Sequence, residues 1–198
     1  MKKCMIIVIS IFILILNGCT MTSRINKTAF MEPIKLTSSQ KELTKGLGIN
    51  NSDIIHFRFA DIPTNINNME LWCEYYDSGK LVNKLFCLEQ GIDKKGTIIG
   101  SFYNINGIER FVINGSSFTR EEDKFDQKVS TSMLNDKRVA IKEGQEIILM
   151  VKVENEGNIS PISDDVFSDF SNEIEQLIEN DHVYVIKCMF HTTDNKGA

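Results

Sequence analysis

A two-residue Asn-Gly turn between alternating apolar segments is the feature that most restricts how this chain folds. Asn106-Gly107 separates Ile98–Ile105 from Ile108–Ile113. Asn and Gly accept the two positive φ angles of a type I′ turn, which joins antiparallel strands with the right-handed twist of a sheet. The resulting register pairs Ile105 with Ile108, Tyr103 with Arg110, Phe102 with Phe111 and Gly100 with Ile113. One face of the hairpin is then apolar and predicts burial against a core; it carries Ile98, Phe102, Phe111 and Ile113.

Other segments share the two-residue period of β-strands. Around Phe57, apolar residues alternate with His56 and Arg58, which predicts a half-buried strand. Two more hairpins and a final strand are predicted from turn residues between apolar runs: Met69–Tyr76 with Leu81–Leu88, Arg138–Lys142 with Gln145–Glu154, and Val183–Phe190. The inward side of the third hairpin is predicted to carry Ile147, Leu149, Val151 and Val153. Residues 114–137 are polar and weakly patterned, and predict a long exposed loop.

Two segments have a helical period instead. Ser39 and Glu42 fit a capping box at the start of a short helix that Gly46 and Gly48 end. Ser163 precedes a second stripe of apolar residues at helical spacing between 164 and 179. Short strands joined by turns predict a mainly β fold, an antiparallel β-sandwich with a short N-terminal helix and one amphipathic helix near the C-terminus.

The N-terminus has the pattern of an export signal. Lys2 and Lys3 precede a predominantly apolar run from Met5 to Leu16, which at 12 residues is too short to span a bilayer. The run ends in Leu16-Asn17-Gly18-Cys19. This pattern resembles the signal of bacterial lipoproteins. The resemblance implies cleavage after Gly18, thioether lipidation of Cys19 and a location on the outer face of the cell membrane.

The predicted organisation has three parts: a signal peptide over 1–18, the lipidated cysteine and a flexible tether over 19–37, and a single β-rich ectodomain over 38–198. The full chain has 22 basic and 27 acidic residues. Removing Lys2 and Lys3 with the signal changes the side-chain balance from 22 − 27 = −5 to 20 − 27 = −7. A mildly acidic domain without a basic cluster argues against nucleic-acid partners and against electrostatic docking on anionic lipid. Membrane attachment is therefore assigned to the acyl group.

Three cysteines remain in the predicted ectodomain, Cys73, Cys87 and Cys188. An exported protein can form disulfides, and Cys73 and Cys87 flank the predicted second hairpin. The alternative is that all three are small buried apolar residues. Both readings remain open at this point, and three thiols leave at least one unpaired.

Candidate chemistry is sparse in this sequence. Two of the three histidines, His182 and His191, lie at opposite ends of one predicted strand, about 30 Å apart, and so cannot share a metal. No catalytic motif, metal-ligand spacing or cofactor signature occurs, so neither catalytic residues nor a cofactor nor a metal is predicted. Trp72 and Tyr76 fall on one strand face and are candidates for stacking on a glycan or holding a peptide; the alternative is that they belong to the core.

Three functional hypotheses follow. The first is a non-catalytic, lipid-anchored binding module at the cell envelope, with a protein, peptide or glycan partner. The second is an accessory or inhibitor subunit of an envelope complex. The third is an envelope hydrolase whose site the sequence does not reveal, because catalytic groups are assembled in space rather than along the chain.

Overall fold

The computed structural model describes residues 28–105, 108–121 and 128–193. They form two antiparallel sheets packed face to face, which confirms the predicted mainly β sandwich. The strands of sheet A are β1 (Phe30–Pro33), β2 (Ile54–Ala60), β5 (Gly96–Ile105), β6 (Ile108–Ile113), β7 (Ser116–Glu121) and β9 (Val139–Ala140). Those of sheet B are β3 (Asn68–Asp77), β4 (Lys80–Gly91), β8 (Val129–Leu134), β10 (Glu146–Asn155) and β11 (His182–His191). Sheet A has the strand order β7-β6-β5-β2-β1-β9, and sheet B has the order β4-β3-β11-β10-β8.

The predicted β5–β6 register is confirmed at every pair. Ile105 pairs with Ile108, Tyr103 with Arg110, Phe102 with Phe111 and Gly100 with Ile113. Asn106 and Gly107 themselves lie outside the described residues. Phe102 and Phe111 are buried between the sheets with their ring centroids 3.7 Å apart, and Phe102 also meets the edge of Tyr184 in sheet B. The hairpin therefore supplies aromatic packing at the centre of the sandwich.

The part of the predicted tether that the structure describes, residues 28–37, contains regular structure. The stretch that was expected to be tether contains β1, which lies between β2 and β9 and buries Met31 completely. Helix α1 (Ser38–Gly46) begins after Thr37 instead of Ser39. Thr37 and Gln40 form the capping box, because the hydroxyl accepts the Gln40 N–H while the Gln40 side chain accepts the Thr37 N–H. No side chain of this helix is buried, so capping stabilises it more than burial does.

Three other predictions are corrected. The predicted exposed loop contains two edge strands, β7 and β8. β7 is mostly polar and β8 has three successive hydroxyl residues at its centre, so neither shows the apolar alternation of inner strands. The predicted third hairpin does not form, since β9 pairs with β1 in sheet A while β10 pairs with β8 and β11 in sheet B. In β10 an irregularity between Ile148 and Met150 shifts the register by one residue, which reverses the faces beyond it.

A third layer covers the outer face of sheet B. The predicted amphipathic segment forms a 3₁₀ turn (Asp164–Phe167) that Ser163 caps, followed by helix α2 (Phe170–Leu177). Buried Val166 and Leu177 pack there on a row of valines of β10 and β11, which comprises Val151, Val153, Val183 and Val185. Val151 and Val153 thus face the helical layer and not the inter-sheet core as predicted. Within the described ranges, the structure contains no helix with the length and apolarity needed to cross a bilayer.

Candidate functional site

Trp72 and Tyr76 lie on one face of β3, as predicted, but they surround a buried carboxylate. The Trp72 Nε1–H donates to Glu74 Oε1 at 3.1 Å, and the Tyr76 hydroxyl donates to Glu74 Oε2 at 3.0 Å. The Lys187 ammonium lies 2.9 Å from the same Glu74 oxygen and 3.0 Å from Glu146. Burial raises the pKa of the Glu74 carboxyl, but the hydrogen bonds from Lys187 and Trp72 outweigh it, so this pKa lies below its ordinary value.

This environment does not leave the two aromatic residues free to stack on a ligand. Trp72 is only 2% exposed and Tyr76 is half-buried. The Lys84 ammonium covers the Trp72 ring at 4.6 Å, and the Lys187 ammonium lies 4.5 Å from the ring centroid of Phe170 in α2. The predicted exposed aromatic surface is therefore replaced by a buried polar cluster, Trp72-Glu74-Tyr76-Lys187, that connects sheet B to the helical layer.

A second polar network lies between the two sheets at one end of the sandwich. Glu109 of β6 is fully buried and accepts the Tyr184 hydroxyl of β11 at 2.6 Å. Arg120 of β7 lies 3.9 Å from Glu109 and donates to the Tyr75 hydroxyl of β3 at 3.2 Å. Burial raises the pKa of both Tyr75 and Tyr184. These hydroxyls therefore stay protonated and link sheet A to sheet B.

His182 joins this network without forming a catalytic relay. Its Nδ1 lies 2.8 Å from the Tyr75 hydroxyl and 3.6 Å from Asp77 Oδ1. In a relay the carboxylate and the hydroxyl contact opposite ring nitrogens, so that one orients the ring while the other exchanges a proton. Here both partners meet the same nitrogen. This arrangement is suited to structural linkage rather than to activation of a nucleophile.

Cys73, Cys87 and Cys188 are free thiols, and the structure does not bring Cys73 and Cys87 together. Cys87 pairs with Trp72 across β3 and β4, so Cys73 points into the core and Cys87 to the opposite face. The hydrogen bond to Glu70 raises the pKa of Cys87, and burial raises that of Cys73 and of Cys188. Each shift favours the thiol over the reactive thiolate.

An apolar cleft lies between β4, which ends sheet B, and β7, which ends sheet A. Its volume is about 290 Å³, and its lining residues come from β4, β6 and β7: Phe86, Cys87, Leu88, Phe111, Ile113, Ser116, Ser117 and Phe118. The ring centroid of Phe111 lies 5.7 Å from that of Phe86 and 6.1 Å from that of Phe118. Ligand pockets usually measure about 300–1,000 Å³, so this cleft suits one or two apolar side chains better than a cofactor.

The cleft borders strand β4, the outer strand of sheet B. β4 is 12 residues long, and in the described part of the chain it pairs on one side only, with β3. Its pairing with β3 skips Leu85 and Val82, which are extra residues that mark two β-bulges. From Phe86 to Gly91 the pairing is one-to-one. A regular strand edge therefore runs beside the apolar cleft.

The sequence did not single out this cleft. Phe118 falls in the stretch that was predicted to be a loop, and the eight lining residues are spread over more than thirty positions. The polar pair Asn83-Lys84 inside the otherwise apolar segment Leu81–Leu88 could have indicated an edge strand, because charged side chains are common on sheet edges. In the described residues no cluster of three or more His, Cys, Asp or Glu side chains is placed to hold a metal ion.

Comparison with known proteins identifies a family for this chain but no activity. A family model described as the YgaN domain matches residues 31–190. That match extends from β1 through β11 and so includes both sheets, the helical layer and the cleft. No curated protein and no solved structure matches the chain.

Proposed function

The chain belongs to the YgaN domain family, and we propose that it is a lipid-anchored, non-catalytic binding module on the outer face of a bacterial membrane. Its partner in this proposal is a polypeptide, as it would also be for an accessory subunit of an envelope complex. The observation that carries the proposal is the apolar cleft beside β4. An open cleft lined by Phe86, Phe111 and Phe118 offers a partner a site where apolar side chains leave water.

The anchor is proposed from the sequence at the N-terminus. Lys2, Lys3, the apolar run and Leu16-Asn17-Gly18-Cys19 together resemble a lipoprotein signal. β1 begins at Phe30, 11 residues after Cys19. At a maximum of about 3.6 Å per residue, that linker extends no more than about 40 Å. A membrane-held module with such a linker would meet partners close to the bilayer.

Replacing Cys19 with alanine is expected to abolish incorporation of a labelled fatty acid and to leave the precursor uncleaved, because the thiol is the acyl acceptor. The measurement is metabolic labelling in a bacterial host, followed by recovery of the full chain. Cys4→Ala is the matched control, since Cys4 lies within the proposed signal and should be neutral. Normal labelling of the Cys19→Ala protein would overturn the anchor.

Filling the cleft is expected to remove peptide binding. Random dodecamer peptides displayed on phage are selected against the full-length protein in detergent micelles. A selected peptide should bind Ser116→Phe at least about tenfold more weakly than wild type, a loss of about 1.4 kcal/mol or more. Ser116 lines the cleft on the same face of β7 as Phe118, so a ring there occupies the space that the peptide side chain needs.

Thr119→Phe is the matched control for this experiment. It adds the same ring to the same strand, but Thr119 pairs with Arg110 and points to the outer face of sheet A. Binding should be unchanged in this variant. Failure to enrich any peptide, or equal binding by wild type and Ser116→Phe, would contradict the proposed function.

A further inference from the structure

We propose that the partner segment binds as an additional strand of sheet B, paired with Phe86–Gly91 of β4, and places apolar side chains in the cleft. This inference rests on the proposed function and specifies its mode of recognition. It commits to one occupant, an extended segment of another protein. The three observations that carry it are the regular half of β4, its unpaired outer edge in the described chain, and the position of Phe118 under that edge.

The pairing of β4 is uneven along its length. In the half next to the hairpin turn, Leu85 and Val82 are bulged, and Leu81 and Val82 are each 56% exposed. Bulges twist an edge and interrupt the spacing of its donors and acceptors, which protects it from pairing with another strand. From Phe86 to Gly91 each residue has one partner in β3, so this half lacks that protection. The unprotected half is the one that lines the cleft.

The chemistry of this edge selects a polypeptide. Its outer N–H and C=O groups repeat at the spacing of a β-strand, which only another extended backbone matches along several residues. An acyl chain has no hydrogen-bonding groups to offer, and a glycan does not reproduce the strand repeat. The backbone edge would therefore provide affinity, while the cleft would select the side chains.

The geometry also predicts which side chains the partner needs. An added strand continues sheet B, so every second residue points between the sheets. Those residues would lie over the half-buried Phe118 and beside Phe86 and Leu88. The intervening residues would lie on the outer face, in line with Cys87 and Glu89, where polar groups are suited to solvent. The preferred segment thus has apolar residues at alternate positions.

A second copy of this chain is a poorer occupant of the same edge. If β4 of one copy paired with β4 of another, each folded edge would bring its own bulges at Leu85 and Val82. Pairing of the two rigid edges would stop where these bulges begin. A flexible segment carries no such interruption and adapts its backbone to Phe86–Gly91. Self-association is accordingly an outcome of the test and not the expected result.

The test is an N-methyl scan of one peptide selected on the full-length protein. N-methylation removes a single backbone donor and leaves the side chain in place. If the peptide adds to β4, methylation should weaken binding about tenfold or more at alternate residues, whose N–H groups face β4, and little at the residues between them. Sedimentation of the unliganded protein should show a monomer across the concentrations used.

The outcomes separate this inference from the proposed function. If Ser116→Phe abolishes binding but the scan shows no two-residue period, strand addition is overturned. The cleft then remains the binding site. A dimer that the peptide dissociates would assign the edge to a second copy and also overturn this inference. Absence of binding, or equal affinity of the peptide for wild type and Ser116→Phe, would contradict the function on which the inference rests.

Discussion

Replacing Lys187 with alanine is expected to lower the free energy of unfolding by about 3–5 kcal/mol, the usual loss when one partner of a buried ion pair is removed. Lys187 is 5% exposed and lies 2.9 Å from Glu74. Its loss leaves the Glu74 carboxylate buried without its cation, although Trp72 and Tyr76 still donate to it. Those two neutral donors do not replace the charge interaction.

The double variant Glu74→Gln/Lys187→Met tests whether the loss in Lys187→Ala comes from the unpaired Glu74 charge or from the lost volume of the lysine side chain. Removing both charges eliminates the desolvation penalty, and the glutamine oxygen can still accept a hydrogen bond. Its stability should therefore return to within about 1 kcal/mol of wild type. Urea unfolding of the full chain, followed by the fluorescence of Trp72, the one tryptophan in the sequence, measures all variants. The exposed Lys142→Ala should change stability by less than about 0.5 kcal/mol.

The same cluster predicts the direction of a pH effect. Because the pKa of Glu74 is lower in the folded protein than its ordinary value of 4.5, ionised Glu74 contributes stability above that value. The contribution is lost as the pH falls through the folded-state pKa. Wild type should therefore lose more stability on acidification below about pH 4.5 than the double variant does. Two results together would contradict this account of the cluster: equal stability of Lys187→Ala and Lys142→Ala, and the same loss of stability on acidification in wild type and the double variant.

Gly100→Ala is expected to destabilise the protein by about 3 kcal/mol, at the upper end of the usual cost of overpacking. A Cβ at Gly100 would lie 2.4 Å from Ile113 Cγ1 and 2.6 Å from the carbonyl oxygen of Val112. Both atoms belong to the paired strand β6, and the second is backbone. Relief of the contact therefore requires β5 and β6 to separate, because a rotamer change does not move the carbonyl.

Gly46→Ala is the matched control for Gly100→Ala. Gly46 ends α1, and a Cβ there meets no atom within 4 Å. Alanine is favoured over glycine in helices, so this variant should be unchanged or up to about 1 kcal/mol more stable. Thermal unfolding of the two variants beside wild type provides the comparison. Equal stability of Gly100→Ala and Gly46→Ala would show that β5 and β6 pack less closely than described.

The opposition of Gly100 and Ile113 also shows how far the sequence predicts this fold. A two-residue turn determines every cross-strand pair by counting outward from it, so Asn106-Gly107 was sufficient to place Phe102 against Phe111. The β3–β4 hairpin was predicted for the same reason. Its turn residues Ser78 and Gly79 both have positive φ, which such a short connection requires. Local turn chemistry therefore predicts these two hairpins correctly.

The pairing of strands that are far apart in the sequence was predicted less well, because it does not depend on a local residue pattern. The segment around Gly144 has turn residues between two apolar runs, yet β9 and β10 join different sheets. The irregularity between Ile148 and Met150 reverses the alternation in β10, which brings Lys152 and Glu154 into the interior as a pair 2.9 Å apart. A strict two-residue period cannot reveal such a reversal.

The candidate site was harder to predict than the fold. The cleft depends on which strands end each sheet, and this property belongs to the topology of the whole chain. The sequence predicts a loop at Phe118 because its neighbours are polar, although polar neighbours are common on an edge strand that faces solvent. Trp72 and Tyr76 were correctly grouped on one face. Tyr76 is half-buried against the helical layer, and Trp72 pairs with Lys187 of β11. These partners come about a hundred residues later in the chain.

The most direct test of the central claim is a binding titration of one selected peptide with three full-length proteins in parallel: wild type, Ser116→Phe and Thr119→Phe. Recognition of a polypeptide at the β4 cleft predicts matching affinities for wild type and Thr119→Phe, and an affinity at least about tenfold weaker for Ser116→Phe. Equal affinity for all three proteins would show that the peptide binds elsewhere and would contradict the claim.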